Sequence, residues 1–329
     1  MIICKTPFRV SFFGGGTDFP TWYKNNEGAV VSTTINKYCY IILRDLPNIF
    51  EYKYRLRYYK TEQVRKINEI QHNAYREIIK KFNFKFNCLE IVHNADLPAL
   101  SGLGSSSSST VCLINALNSF KGKRISKNQL AKNSIYIEQN ILKENAGSQD
   151  QIAASYGGFN YIKFKNNKFK VFPIKNKKNI NYLSKNILIF FTGITRKSET
   201  IEKSKIKSIK KGKINSYLKE LVKITKEGYK HLESSNLNLE KFGELLNKSW
   251  EIKKKLSNKV SNKKIDRFIK IGKKNGAVGA KLLGAGGGGF LLFVCPEKKQ
   301  KKLVSSLNKI KKIDFEFEKL GSHLVNLKN

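Results

Sequence analysis

Acidic side chains are scarce in this sequence: 25 Asp and Glu stand against 63 Lys and Arg, a formal charge of +38 over 329 residues. By itself such an excess suggests a polyanionic partner. The lysines, however, are spread along the whole chain beside abundant Asn and Ile, the mark of compositional bias, and no nucleic-acid partner is expected from them. The aromatic and basic segment 52–60 is the best candidate for such a surface, but its alternation fits equally well a strand with one wet face. Long apolar runs are missing as well. No stretch approaches the roughly 18 residues that span a bilayer, and the first residues have no signal-peptide layout, so a soluble, unexported chain with no membrane partner is expected. Cysteines are few: Cys4, Cys39, Cys88, Cys112 and Cys295 are odd in number, far apart, and form no C-x-x-C pair. They predict reduced core thiols in a cytoplasmic protein. The four histidines, His72, His93, His231 and His323, show no metal-ligand spacing and receive no role.

What is present is globular. The hydrophobic fraction of 40% and aromatic fraction of 11% exclude disorder, and the length exceeds the roughly 100 to 200 residues of one domain. Two domains sharing a cleft are therefore expected. Strand patterns occur at 1–13, 29–43, 52–59 and 88–93. Val64, Ile67, Ile70, Ala74 and Ile78 share one face of a helix predicted over 61–82. Further helices are predicted from 111 onward, at 129–142 and through most of 198–275, with a hairpin at 156–172 and strands at 187–191 and 290–295. A last helix and strand close the chain. The interleaving predicts an α+β protein, with domains at 1–180 and 181–329 joined by a Lys- and Asn-rich linker at 175–185. The Lys-rich segment 203–213 reads as a solvated helix face. No internal repeat is found.

Three segments carry chemistry. The richest is Leu97-Pro98-Ala99-Leu100-Ser101-Gly102-Leu103-Gly104-Ser105-Ser106-Ser107-Ser108-Ser109, between a strand and an apolar helix. Small residues let backbone N–H groups approach an anion, and a helix N-terminus adds free donors and a favourable dipole. Ser101, Gly102, Leu103, Gly104, Ser105, Ser106, Ser107 and Ser108 are thus a candidate phosphate cradle. It is neither a Walker loop nor the glycine fingerprint of a dinucleotide fold. The second segment is Pro7-Phe8-Arg9-Val10-Ser11-Phe12-Phe13-Gly14-Gly15-Gly16-Thr17-Asp18. Arg9 between apolar neighbours needs a carboxylate or an anion, and Asp18 after a triple glycine suits a group that grips hydroxyls. A surface Arg and a turn Asp are the plain alternative. The third, residues 279–290, has four consecutive glycines entering an apolar strand. It can pack against another loop or a ligand where no Cβ would fit, or be a tight turn.

These segments, in this order, resemble the GHMP kinase superfamily over nearly the whole chain. The resemblance implies a two-domain α+β fold, with an N-terminal domain like domain 2 of ribosomal protein S5 and a ferredoxin-like C-terminal domain, and with ATP and Mg2+ in the cleft between them. Within the superfamily the opening segment is similar to that of bacterial kinases of D-glycero-D-manno-heptose 7-phosphate, as are Gly147-Ser148-Gln149-Asp150-Gln151 and Thr192-Gly193-Ile194-Thr195-Arg196. Galactokinase carries Glu and His at Gly15 and Gly16, which argues against galactose. L-fucose kinases stay open.

The resemblance implies that residues 101–108 bind ATP, that Asp150 is the base and that Arg9 pairs with it. It also implies that Ser106 contacts Mg2+ with Glu138 as carboxylate partner, and that Gly14, Gly15, Gly16, Thr17, Asp18, Gln149, Gly286 and Gly287 surround the acceptor. Arg196 and Lys197, opening a helix after a strand, offer two cations beside free N–H groups for the acceptor's 7-phosphate. The expected reaction converts heptose 7-phosphate and ATP to the 1,7-bisphosphate and ADP, in the supply of nucleotide-activated heptose for surface polysaccharide. Oligomeric state is not legible, and a homodimer stays open. A non-catalytic nucleic-acid binder is the reading from another class, but it has no need of Arg9, Asp18, Ser106 and Asp150 together.

Overall fold

The computed structural model describes residues 1–82, 88–99, 102–195 and 199–326. In the N-terminal half, β1 (Ile2–Phe13), β2 (Gly28–Asp45), β3 (Tyr54–Arg57), β4 (Thr61–Val64), β5 (Leu89–Ala95), β6 (Phe159–Lys165) and β7 (Lys168–Pro173) form most of one mixed sheet. β2 organises it. Eighteen residues long, β2 pairs with β1 over most of its length, with β6 near its start and with β5 near its end. The β1–β2 register shifts between Pro7 and Phe8, beside a residue that has no amide hydrogen to give the ladder.

Helices α1 (Pro20–Tyr23), α2 (Asn73–Lys81), α3 (Ser105–Phe120), α4 (Lys127–Tyr136) and α5 (Gln149–Tyr156) belong to this half. Residues 107–114 of α3 are all buried, because the helix lies between the β1–β2 face and its helical neighbours. Small Ser and Thr residues in its first turns and the apolar run Val111, Cys112, Leu113, Ile114, Ala116 and Leu117 let it be enclosed on all sides. Its N-terminus emerges from that core, after Gly104 at φ 77°.

The C-terminal half contains α6 (Lys177–Lys185), β8 (Ile187–Phe191), α7 (Glu199–Lys210), α8 (Asn215–Glu233), α9 (Leu239–Lys255), α10 (Lys263–Lys274), β9 (Gly279–Leu282), β10 (Phe290–Val294), α11 (Glu297–Ser306) and β11 (Lys311–Ile313). Its sheet is antiparallel in the order β11-β8-β10-β9, the arrangement of a ferredoxin-like unit. Both faces are buried. On β10, Phe290, Leu292 and Val294 join the core shared with the N-terminal half, whereas Leu291 and Phe293 pack with Ile265, Phe268 and Leu303 of α10 and α11. The period of two along a strand thus distributes one apolar run between two cores.

Three expectations need correction. Residues 61–82 are not one helix: Thr61–Val64 is strand, and the helix begins at Asn73. The Glu62 carboxylate accepts the backbone N–H groups of Gln71 and His72 and the Tyr58 hydroxyl, fixing a turn where apolar spacing alone suggested continuity. Residues 175–185 are no linker, since α6 occupies most of them. Its cap is Asn176, Leu183 is buried, and the Asn179 amide donates to the carbonyls of Leu232 and Ser234. Lysine-rich composition concealed that amphipathic spacing. Finally, β12 (Phe317–Glu318) and β13 (His323–Leu324) return from the 181–329 segment to pair with β2 and β1, so a division at residue 180 leaves out these strands of the N-terminal sheet.

All five cysteines are free and buried. No helix among the described residues is long and apolar enough to cross a membrane. In segment 52–60, Arg55 and Arg57 direct their charge at buried Glu90, at 2.5 and 3.2 Å, together with Arg44. That use is structural.

Candidate active site

A cleft of ≈ 530 Å³ opens where the end of β1, the start of α3 and the glycine loop before β10 converge. Arg9 joins its parts. Its Nε and Nη2 donate to Asp150 Oδ1 and Oδ2 at 2.8 and 2.7 Å, a bidentate pair, while Nη1 donates to Gly102 O at 2.5 Å. The Arg9 side chain is 6% exposed and that of Asp150 23%, so the carboxylate is oriented yet reachable. Gly104 closes on this pair: a Cβ there would lie 3.3 Å from both Arg9 Cγ and Asp150 Oδ2. Gly102 and Gly284 touch backbone to backbone, since a Cβ on Gly284 would come within 2.4 Å of the Gly102 Cα. The first and third glycine segments therefore meet, as close approach of Cβ-free chain allows.

Within the cradle, Gly102, Gly104, Ser105, Ser106 and Ser107 line the cleft. Two residues expected there do not. Leu103 is buried, its carbonyl accepting the Arg9 N–H at 3.0 Å, and the Ser108 hydroxyl turns inward to Pro7 O at 3.1 Å. A helix shows its neighbours successive directions, so only part of a serine run can face one cavity. Ser101, Arg196 and Lys197 lie outside the described residues.

The opposite wall is built around Asp18. Its carboxylate accepts the N–H groups of Gly16 at 2.8 Å and Gln149 at 3.3 Å, and burial pushes its carboxyl up to about 6. Gly147 lies against it, where a Cβ would fall 2.0 Å from Asp18 Oδ2. Gly15, Gly16, Gln149 and Gly286 also line the cleft, and Gln149 Oε1 is buried with no partner among the described residues. Gly14 and Thr17 do not face it. A Cβ on Gly14, at φ +89°, would sit 1.8 Å from Ala29 O, and the Thr17 hydroxyl staples the carbonyls of Gly14 and Ala29 at 2.8 and 2.9 Å. They shape the turn that presents Asp18. Gly287 is likewise outside the wall, its N–H given to Val260 O at 2.8 Å.

Glu138 is 1% exposed and sits in a widened turn, residues 137–141, where Leu142 N–H donates to Ile137 O. Its Oε2 accepts from the Ser107 hydroxyl at 2.8 Å and from the Gln151 amide, while Oε1 has no partner among the described residues. Burial, reinforced by Glu144, pushes its carboxyl up to about 8. A buried carboxylate oxygen without a donor beside a phosphate cradle fits Mg2+, which takes a few hard protein oxygens plus phosphate. The serine tied to Glu138 is Ser107; Ser106 lines the cleft but is exposed.

Sequence reading missed three lysines. Lys281 of β9 reaches the carbonyls of Ser11 and Phe12 at 3.0 and 2.6 Å, and burial together with Arg9 brings its amine down to about 7. Lys253 donates to Gly284 O, and Lys205 to Ala285 O at 3.0 Å. Lys205 falls within the segment expected to be a solvated face, yet it is buried. In a chain so rich in lysine, no local signal sets these three apart.

The family models describe both halves: "GHMP kinases N terminal domain" matches residues 68–158 and "GHMP kinases C terminal" residues 232–312. The D-glycero-alpha-D-manno-heptose 7-phosphate kinase of Campylobacter jejuni is 32% identical over 332 residues, covering 96% of each chain. The mevalonate kinase of Methanocaldococcus jannaschii is 33% identical over 240 residues, 71% of this chain and 69% of that relative. In fold, the crystal structure of a D-glycero-D-manno-heptose 1-phosphate kinase from Bacteroides thetaiotaomicron superposes with a TM-score of 0.81 over 100% of both chains, at 22% identity. With Arg9 and Asp150 paired at the mouth of a glycine- and serine-lined cleft, this chain belongs to the GHMP kinases and is an ATP-dependent phosphotransferase acting on an alcohol group.

Proposed function

We propose that the alcohol is the anomeric 1-hydroxyl of D-glycero-D-manno-heptose 7-phosphate and that the product is the 1,7-bisphosphate, a precursor for nucleotide-activated heptose. The observation that carries the reading is the position of Asp150. Arg9 holds it in a cleft that it shares with the serines of α3 and with Asp18. The Campylobacter jejuni relative, similar over 96% of both chains, supports a heptose phosphate as acceptor.

In this reading the free N–H groups and dipole at the start of α3 take the ATP phosphates. Asp18 and Gln149 accept from sugar hydroxyls and fix the ring. The 1-oxygen attacks the γ-phosphorus, the bond to the ADP oxygen breaks, and the hydroxyl proton passes to an Asp150 carboxylate oxygen. Glu138, with Ser106 and Ser107, would hold Mg2+, which supplies neutralisation of phosphate charge. The Arg9 fork keeps Asp150 from rotating out of line.

A panel of sugars and sugar phosphates, scored for ADP release, tests the proposal. Heptose 7-phosphate is expected to show a kcat/KM above unphosphorylated heptose and L-fucose by about tenfold or more, the scale of one charged contact. A preference for L-fucose overturns it.

A further inference from the structure

The cleft gathers charges of both signs. Glu144 acts on the charge of Glu138, and Glu199 on that of Glu144. Lys253 and Lys205 are bound to the carbonyls of consecutive residues, Gly284 and Ala285, which sets two buried ammonium groups side by side. Among the described residues, Glu202 is the carboxylate paired with them, 3.4 Å from Lys205. Lys253 has a neutral carbonyl as its hydrogen-bond partner and is held well below the ordinary lysine value by burial and then by Lys281 and Lys205. A surplus of buried positive charge is costly in a protein alone and is relieved by a bound anion. Ser11, which lines the same cleft and whose backbone carbonyl accepts from Lys281, has a buried hydroxyl with no partner among the described residues.

We propose that Lys253 and Lys205, with the Ser11 hydroxyl, seat the non-reacting phosphate of the acceptor. This rests on the reading of the acceptor as a sugar phosphate. Position favours the acceptor over ATP. Glu202, paired with Lys205, also acts on the charge of Asp18, so the lysines belong beside the hydroxyl-gripping wall. Ser11 precedes Gly15 and Gly16 of that wall on the same strand and loop. A phosphate there accepts from two ammonium groups and one hydroxyl, and its charge balances theirs.

Lys253→Met and Lys205→Met are each compared with wild type on D-glycero-D-manno-heptose 7-phosphate, on the same heptose without its phosphate, and with ATP varied. Methionine keeps a similar volume; at Lys253 it removes a charge that no carboxylate pairs, so folding is expected to persist, whereas Lys205→Met frees Glu202 of its partner and is read only after its melting temperature is compared with that of wild type. The KM for the phosphorylated heptose should rise about 10- to 100-fold, while the KM for ATP and kcat/KM for the unphosphorylated heptose stay within about threefold. Lys253→Arg should recover part of the affinity. An equal rise in the KM for ATP assigns the lysines to the nucleotide and overturns the proposal. Equal losses on both heptoses, or no change on either, overturn it too. Wild-type enzyme that ignores heptose 7-phosphate but uses another sugar phosphate overturns only the heptose reading, and the lysines are then tested on that sugar. Wild-type enzyme that uses unphosphorylated sugars alone overturns both.

Discussion

Arg9 and Asp150, 141 residues apart in sequence, are joined by two nearly parallel hydrogen bonds of 2.8 and 2.7 Å. The geometry fixes the carboxylate plane as well as its position. Asp150→Asn keeps shape but accepts no proton. It is expected to leave ATP binding within about threefold and to reduce turnover at least about a hundredfold, the scale of a general base. Steady-state kinetics beside nucleotide titration give both numbers, and near-normal turnover would remove Asp150 from the base role.

Gly284 and Gly102 meet where neither tolerates a side chain. Gly284→Ala places a methyl group 2.4 Å from the Gly102 Cα at a backbone φ of +72°. The expected loss is about 1–3 kcal/mol in stability from strain and overpacking, with weaker ATP binding because the cradle shifts. Urea unfolding and nucleotide titration measure the two effects. Unchanged values in both would mean that the loops do not stay in contact in solution.

Glu138 sets a pH dependence with a definite sign. Burial, with Glu144 beside it, pushes its carboxyl in the folded protein up to about 8, from an ordinary value of about 4.5. Between these values the folded protein keeps a proton that the unfolded chain releases, so this group's contribution to metal-free stability falls as pH rises from about 4.5 to 8. Glu138→Gln should flatten that slope, gain stability relative to wild type above pH 8 and lose most of the Mg2+-dependent rise in melting temperature. Asp18 contributes in the same direction near pH 6 and Lys281 oppositely above 7, so the informative quantity is the difference between variant and wild type. Equal slopes would place the titration elsewhere.

Positive charge alone should give weak, salt-sensitive binding to DNA. Fluorescence anisotropy with a random duplex is expected to show affinity falling steeply between 50 and 200 mM salt, with no sequence preference. Tight, sequence-selective binding at physiological salt would restore the nucleic-acid reading.

Local sequence determined much of this protein. The glycine and serine segment and the Arg9 strand were legible because each needs particular residue types at short spacing: a Cβ-free turn, a run of small residues at a helix start, a charge within an apolar strand. Asp150 was legible only through the family resemblance of residues 147–151. Period-two and period-3.6 patterns likewise placed most strands and helices. Tertiary structure decided the rest. Strands of two residues, β12 and β13, are too short for a period, and the Glu62 hydrogen bonds that interrupt the expected helix link residues whose approach the fold creates. One step along α3 determined that Ser107, with its hydroxyl turned inward, meets Glu138 while Ser106 stays exposed. Lys205, Lys253 and Lys281 are identical in sequence to dozens of exposed neighbours. Only folding withdraws them from water, and burial gives an ordinary ammonium group its unusual charge balance at the cleft.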